Sequence, residues 1–441
     1  QEYFSDGISE ELLNLLTKIP ELKVISRTSS FSYKGKDVTI EQIGEELNVT
    51  HILEGSVRKS GSKIRITAQL IDVADGSHIW SETYDRNMED VFRIQDEIAK
   101  VVTKQLEISL LGDMAKATEV DPDAYTLYLQ ANHLLLQHNA EVVKKAEDVI
   151  KQSIAIDSLY APSWNLLSRI VLVSTSNFYQ KPYEEGLEFS KHASLRSLEL
   201  DNKYAPAFAQ LAHIQTMYRD FESASENIDK AIQLDGGNVS VIRTAAKIAS
   251  NAGRFDKQEE FLLQAIALDP LEYSNYYMLG LVYNRTKRWD ESYEALKRYS
   301  YFRPEAAVQH AMIAFALLGQ GKDLEALKEV EKEPSEFWNL YTKIFVFNSL
   351  GNQEQADSLM AKFIGRYSDS NPVMVATLYA NRGEIENAFK WLDIAYKDQD
   401  PDLTEAINYH SFESLYKDPR WDAFIDKLSL PKDHWLLRRT N

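Results

Sequence analysis

The 441-residue chain contains no cysteine. Disulfides, thiol catalysis, iron–sulfur clusters and cysteine-bound zinc are therefore excluded. A chain without thiols suits either side of a membrane, so the redox compartment stays open. Long apolar runs are lacking as well. A membrane helix takes about 18 or more consecutive apolar residues. The best candidate, Ala311–Leu318 (AMIAFALL), is far shorter and reads as a buried helix, so no membrane insertion of this chain is expected. Positive charge is scarce: 49 Lys+Arg face 67 Asp+Glu, a net charge of −18. Phosphate contacts need clustered Lys and Arg, so direct nucleic-acid binding is not expected. Position 1 is Gln, and nothing like a signal peptide follows. The chain reads as a piece of a longer or processed protein. What is present is ordinary for folded proteins, with 44% hydrophobic and 26% charged residues, and the length suits about three domains.

The pattern changes character near residue 110. Lys23–Arg27, His51–Arg58, Lys63–Asp72 and His78–Tyr84 are β-branched, alternating runs. Ser60-Gly61 and Asp75-Gly76 separate the last three, as tight hairpin turns do. Helical spacing fills the gaps. Ser5-Asp6-Gly7 precedes Ile8, Leu12, Leu13, Leu15 and Leu16 as a polar cap, and Pro20 ends that helix. Thr39 with Gln42 has the form of a capping box ahead of Ile40, Ile43 and Leu47. Asn87 opens a longer helix carrying Val91, Ile94, Ile98, Val102 and Leu106. The expected order is helix, strand, helix, three strands, helix, in a small α/β domain with a mixed sheet over 1–112.

Beyond Asp121-Pro122 only helical patterns persist. Ala231, Ala265 and Tyr299 are spaced by 34 residues, as are Pro270 and Pro304. Ala231–Asp235 (AIQLD) and Ala265–Asp269 (AIALD) are near copies, matched upstream by Ser197–Asp201 (SLELD) and Ser153–Asp157 (SIAID). Ser153 to Ser197 is 44 residues, and the ten extra fall around Ser174–Tyr183. Tyr276, Leu279, Gly280, Tyr283, Ser292, Leu296 and Pro304 stand at the offsets of a 34-residue helix pair. The APSW (Ala161–Trp164) and APAF (Ala205–Phe208) segments open first helices in the same register. This unit resembles the tetratricopeptide repeat. About six or seven repeats over 122–400 are expected, with capping helices over 401–441. One helix pair cannot bury its apolar face alone, so repeats stack into a superhelical solenoid with a concave surface. The fold class is α+β, mostly α.

The N-terminal blocks Phe4–Leu16, Lys23–Asp37 and His51–Arg86 resemble the TolB amino-terminal-like domain. The end block Asp418–Pro431 (DPRWDAFIDKLSLP) resembles the usual close of such chains. The resemblance implies a bacterial protein in which this module follows a class III cyclase domain or a CadC-like winged-helix domain, often with a membrane helix between. That helix would put this part in the periplasm, and its absence would leave it in the cytoplasm. A first strand usual in the family is missing here, so the sheet lacks it or recruits another.

No catalytic, metal or cofactor constellation stands out. Gly319–Asp323 (GQGKD) lacks the leading Gly and trailing hydroxyl of a phosphate loop. The nine histidines, His133 and His138 among them, show no ligand spacing. The pairs Glu10-Glu11 and Glu45-Glu46 read as solvated helix faces. Ser26, Arg27 and Thr28 follow an expected strand end, where open sheets bind ligands. Either they hold an anion, or the loop caps the next helix and contacts the repeats. Inner positions carried over from the repeat family fall on Asn165, Arg169, His213, Arg243, Lys247, Tyr277, Asn284 and Arg285. They form a basic, polar set able to grip a carboxylate-bearing peptide, or else an ordinary solvated face. The expected role is a non-catalytic regulatory or scaffold module that binds a protein or peptide. The alternatives are a small-ligand sensor, with the ligand near Arg27, and self-association as a homodimer.

Overall fold

The computed structural model of the chain describes residues 2–106 and 120–436, apart from 20, 138, 177, 179, 401, 429, 432, 433 and 435, with only the backbone at 2 and 3. The helix end expected at Pro20, the histidine at 138 and the boundary at 112 lie outside the described residues. The chain forms two compact units, Gln1–Ile248 with Ala267–Leu271, and Ala249–Ile266 with Glu272–Asn441.

The first unit opens with α1 (Glu2–Leu16), α2 (Arg27–Phe31) and α3 (Ile40–Leu47). Strands β1 (His51–Ser60), β2 (Lys63–Asp72) and β3 (His78–Asn87) follow, then a 3-10 turn at Met88–Asp90 and α4 (Val91–Gln105). Local chemistry explains several boundaries. Thr39 Oγ1 accepts from the Gln42 N–H and the Gln42 side chain accepts from the Thr39 N–H, so the capping box forms. Gly61 and Gly76 take positive φ in the two hairpin turns, where a side chain would be strained.

Two expectations about this region are corrected. The sheet is not mixed: its three described strands run antiparallel in the order β1-β2-β3, with a bulge opposite Leu70/Ile71. The Lys23–Arg27 run joins no ladder; the Ser26 N–H donates instead to the Leu268 carbonyl and α2 begins at Arg27. Five alternating residues without a partner strand cannot satisfy their backbone as a sheet does. Likewise Ser5-Asp6-Gly7 does not cap α1 but lies inside it. Gly7 is where α1 meets the first repeat: a Cβ there would stand 2.6 Å from Leu129 Cδ2.

Helices α5 (Pro122–Leu135), α6 (Ala140–Ile156), α7 (Ala161–Ser176), α8 (Tyr183–Leu200), α9 (Ala205–Met217) and α10 (Phe221–Asp235) complete three pairs. Ile64, Ile66, Ala68 and Tyr84 of the sheet and Ile94, Ile98 and Val102 of α4 share one apolar core with Tyr125, Leu129, Ile150 and Ile170. The described part of the N-terminal α/β segment therefore shares its core with the first repeats. A three-stranded sheet with four helices buries little by itself, and the first repeats add to it. The insertion around Ser174–Tyr183 lengthens both α7 and α8, to 16 and 18 residues against 13 and 15 in the next pair.

Next come α11 (Val239–Asn251) and α12 (Phe255–Leu268), then α13 (Tyr273–Arg285), α14 (Trp289–Phe302), α15 (Gln309–Gly319), α16 (Asp323–Val330), α17 (Glu336–Ser349), α18 (Gln353–Tyr367), α19 (Pro372–Asn381) and α20 (Ile385–Lys397). The described helices from α5 to α20 make eight successive pairs; the degenerate later ones keep the architecture. The buried small residues explain the spacing. Ser153 and Ser197 donate to the carbonyls of Ala124 and Ala161 at 2.8 Å, where Ala231 and Ala265 stand in the later pairs. Such residues let paired helices approach closely.

The second unit ends with α21 (Leu403–Ala406), a 3-10 turn at His410–Leu415 and α22 (Pro419–Lys427). This segment is not a lid on the last helix alone. Ile407, Phe412 and Leu415 are fully buried in a core with Tyr341, Phe363, Val375 and Leu392 of α17 to α20.

Candidate functional site

First helices of successive pairs present equivalent positions side by side. Counted from the start of each helix, Arg169 of α7, His213 of α9 and Lys247 of α11 are all ninth. The structure brings the last two together: the Lys247 ammonium lies 2.9 Å from His213 Nε2. Burial, and after it the Lys247 charge, pushes the imidazole down to about 3. The ring is thus neutral at physiological pH, and Nε2 accepts the proton that the ammonium donates. Loss of water also holds Lys247 below the ordinary lysine range. Arg169 lies close enough to Tyr204 for its charge to favour the ionised phenol, although burial dominates and raises that hydroxyl.

Among the described residues no carboxylate stands within ion-pair distance of Arg169 or Lys247. On a chain of net charge −18 this is a specific local composition. A cation without a counter-ion is a ready anion site, since an incoming carboxylate supplies the missing charge.

The other inner-face candidates fall elsewhere. Arg243 is exposed on α11, one turn before Lys247. Asn165 is only 2% exposed, so it belongs to the interior and not to an accessible face. Tyr277, Asn284 and Arg285 lie in the second unit, where they line a concavity of about 990 Å³. Arg285 is buried there, paired with Glu405 and donating to Ser250 Oγ at 3.3 Å. It is not an exposed cation. The eight candidates therefore make two groups, one in each unit.

The residues Ser26–Thr28 stand at the start of α2. They follow no strand, and their cation is already held: Arg27 Nε is 3.2 Å from Glu10 Oε2, and the guanidinium lies 4.7 Å from the Phe31 ring centroid. Ser29, next in line, supplies the contact that matters. Its N–H and Oγ donate to Asp269 Oδ1 at 3.1 and 2.6 Å. The equivalent Asp157 and Asp201 accept from the Leu159 and Lys203 N–H groups of their own turns, whereas Asp269 holds the start of α2.

Sequence reasoning missed Trp289, Phe337, Trp338, Tyr341 and the C-terminal residues Glu405, Tyr409 and His410, all of which line the concavity. The aromatic density of α17 (EFWNLYTKIFVF) was a usable signal. The C-terminal contribution carried none, because it depends on chain return.

No family model matches the chain. Over 228 residues it is 34% identical to "Putative adenylate cyclase 3" of Rhizobium meliloti (strain 1021), a match that takes in 51% of this chain and 39% of that protein. The match spans about two fifths of the length of this curated relative. Among solved structures the chain is similar to PilW, a widely conserved type IV pilus biogenesis factor, with TM-score 0.41 and 15% identity over 48% of this chain and 98% of that one. It is similar to PilF of Pseudomonas aeruginosa, with TM-score 0.38 and 18% identity over 45% and 91%. A tetratricopeptide repeat protein from Parabacteroides merdae gives TM-score 0.39 and 10% identity over 56% and 93%.

Proposed function

We propose that this chain is the non-catalytic interaction part of a larger bacterial signalling protein, and that it binds a carboxylate-bearing peptide of a protein partner across the first helices α7, α9 and α11. The observation that carries this reading is the row Arg169, His213, Lys247: cations at one register position, with no acid among the described residues within ion-pair distance of Arg169 or Lys247 and a neutral imidazole between them in sequence. Arginine offers a fork of donors and lysine a point charge, while a neutral histidine adds no repulsion. The N-terminal segment is read as a TolB amino-terminal-like module, which the blocks quoted above support. A cyclase output elsewhere in the parent protein is consistent with the name of the Rhizobium relative. The small-ligand alternative at Arg27 is disfavoured by its pairing with Glu10.

Phage selection of random peptides on the immobilised chain tests the proposal. Selected peptides should carry acidic residues or a free C-terminal carboxylate. Their affinity should fall about tenfold or more in Arg169→Glu/Lys247→Glu, about 1.4 kcal/mol or more. Peptides without acidic bias, or unchanged binding to the charge-reversed variant, would overturn it. Light scattering on the same samples separates partner binding from homodimer formation.

A further inference from the structure

The concavity of the second unit is a different kind of place from the cationic row. Its walls are the first helices α13, α15, α17 and α19, and the C-terminal segment closes one side. That segment is no displaceable strap, because its own Ile407, Phe412 and Leu415 are fully buried. The space is therefore bounded on that side by a fixed wall. About 990 Å³ lies at the upper end of the range for small-molecule sites.

Three features define what fits. The wall is aromatic, with Phe337, Trp338 and Tyr341 of α17 facing Phe315 of α15 and Tyr277 of α13 in one lining. The guanidinium and imidazole in the lining are already bonded. Arg285 is bound by Glu405, and His410 meets Glu413 through Nδ1 at 2.8 Å and the Asn284 carbonyl through Nε2 at 2.8 Å. An anion brought into this space would therefore cost its hydration with no free cation in return, beside the Asp402 and Glu405 carboxylates of the same lining. Lastly, the lining residues Asn284 and Asn348 each keep a side-chain oxygen that is shut off from water and accepts no hydrogen bond. The Asn348 amide is loosely held, reaching Asn381 Oδ1 only at 3.4 Å. A turn about its last torsion offers that oxygen to an incoming donor, and a buried acceptor gains most from being met.

We propose that this pocket binds a small aromatic molecule that bears N–H donors and no negative charge, stacked on the α17 rings and hydrogen-bonded to Asn284 and Asn348. The site stands independently of the peptide reading above, since it lies in the other unit and uses none of the same residues.

Two probes of matched size and different charge test it: benzamide and benzoate. Binding to the full chain is followed by saturation-transfer NMR and titration. Benzamide should bind, and benzoate about tenfold or more weaker. Asn348→Leu should weaken benzamide several-fold, and Ser349→Trp, which fills the lining beside it, should abolish its signal. Thermal melts establish that each variant is folded. Benzoate bound as tightly as benzamide or more tightly, or benzamide binding unchanged in folded Ser349→Trp, overturns the assignment.

Discussion

The Lys247 ammonium donates to Nε2 of His213 across 2.9 Å, 34 residues away in sequence and one helix pair away in space. The contact requires a neutral ring. The unfolded chain protonates a histidine near 6.5, whereas burial and Lys247 push this one down to about 3 in the fold. Between those values the unfolded state binds more protons, so stability falls as pH drops from about 6.5 toward 3. His213→Gln keeps an acceptor without the titration. Urea unfolding at pH 7 and pH 4.5 should show a larger acid loss in the native sequence than in the variant; equal losses would contradict the assignment.

Glu11 has the opposite sign. Loss of water, and after it the neighbouring Glu10, pushes its carboxyl up to about 7, while the Tyr128 hydroxyl donates to it at 3.3 Å. An unfolded glutamate ionises near 4.3. The folded state therefore binds more protons between about 4.3 and 7, and stability declines as pH rises through that window. Glu11→Gln should raise the urea midpoint at pH 8 and lose that advantage toward pH 5. A gain independent of pH would point to packing instead.

Gly280 and Gly365 both lie inside helices of the second unit, yet they should respond differently to alanine. A Cβ at Gly280 would meet Leu296 Cγ at 2.6 Å, and Leu296 is fully buried. Overpacking costs about 1–3 kcal/mol, which outweighs a helix-propensity gain of about 1 kcal/mol. Nothing lies within 4 Å of a Cβ at Gly365, so only the gain applies there. Calorimetry should show Gly280→Ala melting lower and Gly365→Ala melting at or above the native temperature.

Arg285 and Glu405 form a pair whose arginine side chain is 6% exposed and whose glutamate is 55% exposed. Glu405→Ala strands a buried cation, while Arg285→Met removes the charge and keeps the stem. Breaking a buried pair costs about 3–5 kcal/mol; water around Glu405 brings the expectation to about 2 kcal/mol. Arg285→Met should cost less. The reverse order in denaturant titrations would show that the contact of Arg285 with the Phe255 ring, at 5.4 Å, matters more than its charge.

Local signals account for much of the fold. The Thr39/Gln42 capping box, the hairpin glycines and the alternation in Lys63–Asp72 are satisfied by residues a few positions away, so they are readable in one dimension. The 34-residue recurrence of small residues works likewise, because each repeat solves the same packing problem against its neighbour. The reading failed where partners are remote. Lys23–Arg27 alternates like a strand, yet Ser26 and Ser29 spend their polar groups on Leu268 and Asp269, some 240 residues on. Ser5-Asp6-Gly7 looks like a cap, but the glycine serves the approach of Leu129.

The candidate sites divide in the same way. Equivalent repeat positions placed Arg169, His213 and Lys247 in one row from sequence alone, since register is a local property. Whether those side chains keep their charge, meet an acid or lie buried is set by neighbours from other helices. That is why Asn165 and Arg285, equally good by register, proved to be interior. The sequence by itself determined that helix pairs stack behind a small sheet. Only the tertiary structure decided which polar groups remain unpaired and that the C-terminal segment walls a pocket, because burial and charge pairing depend on contacts between residues far apart in the chain.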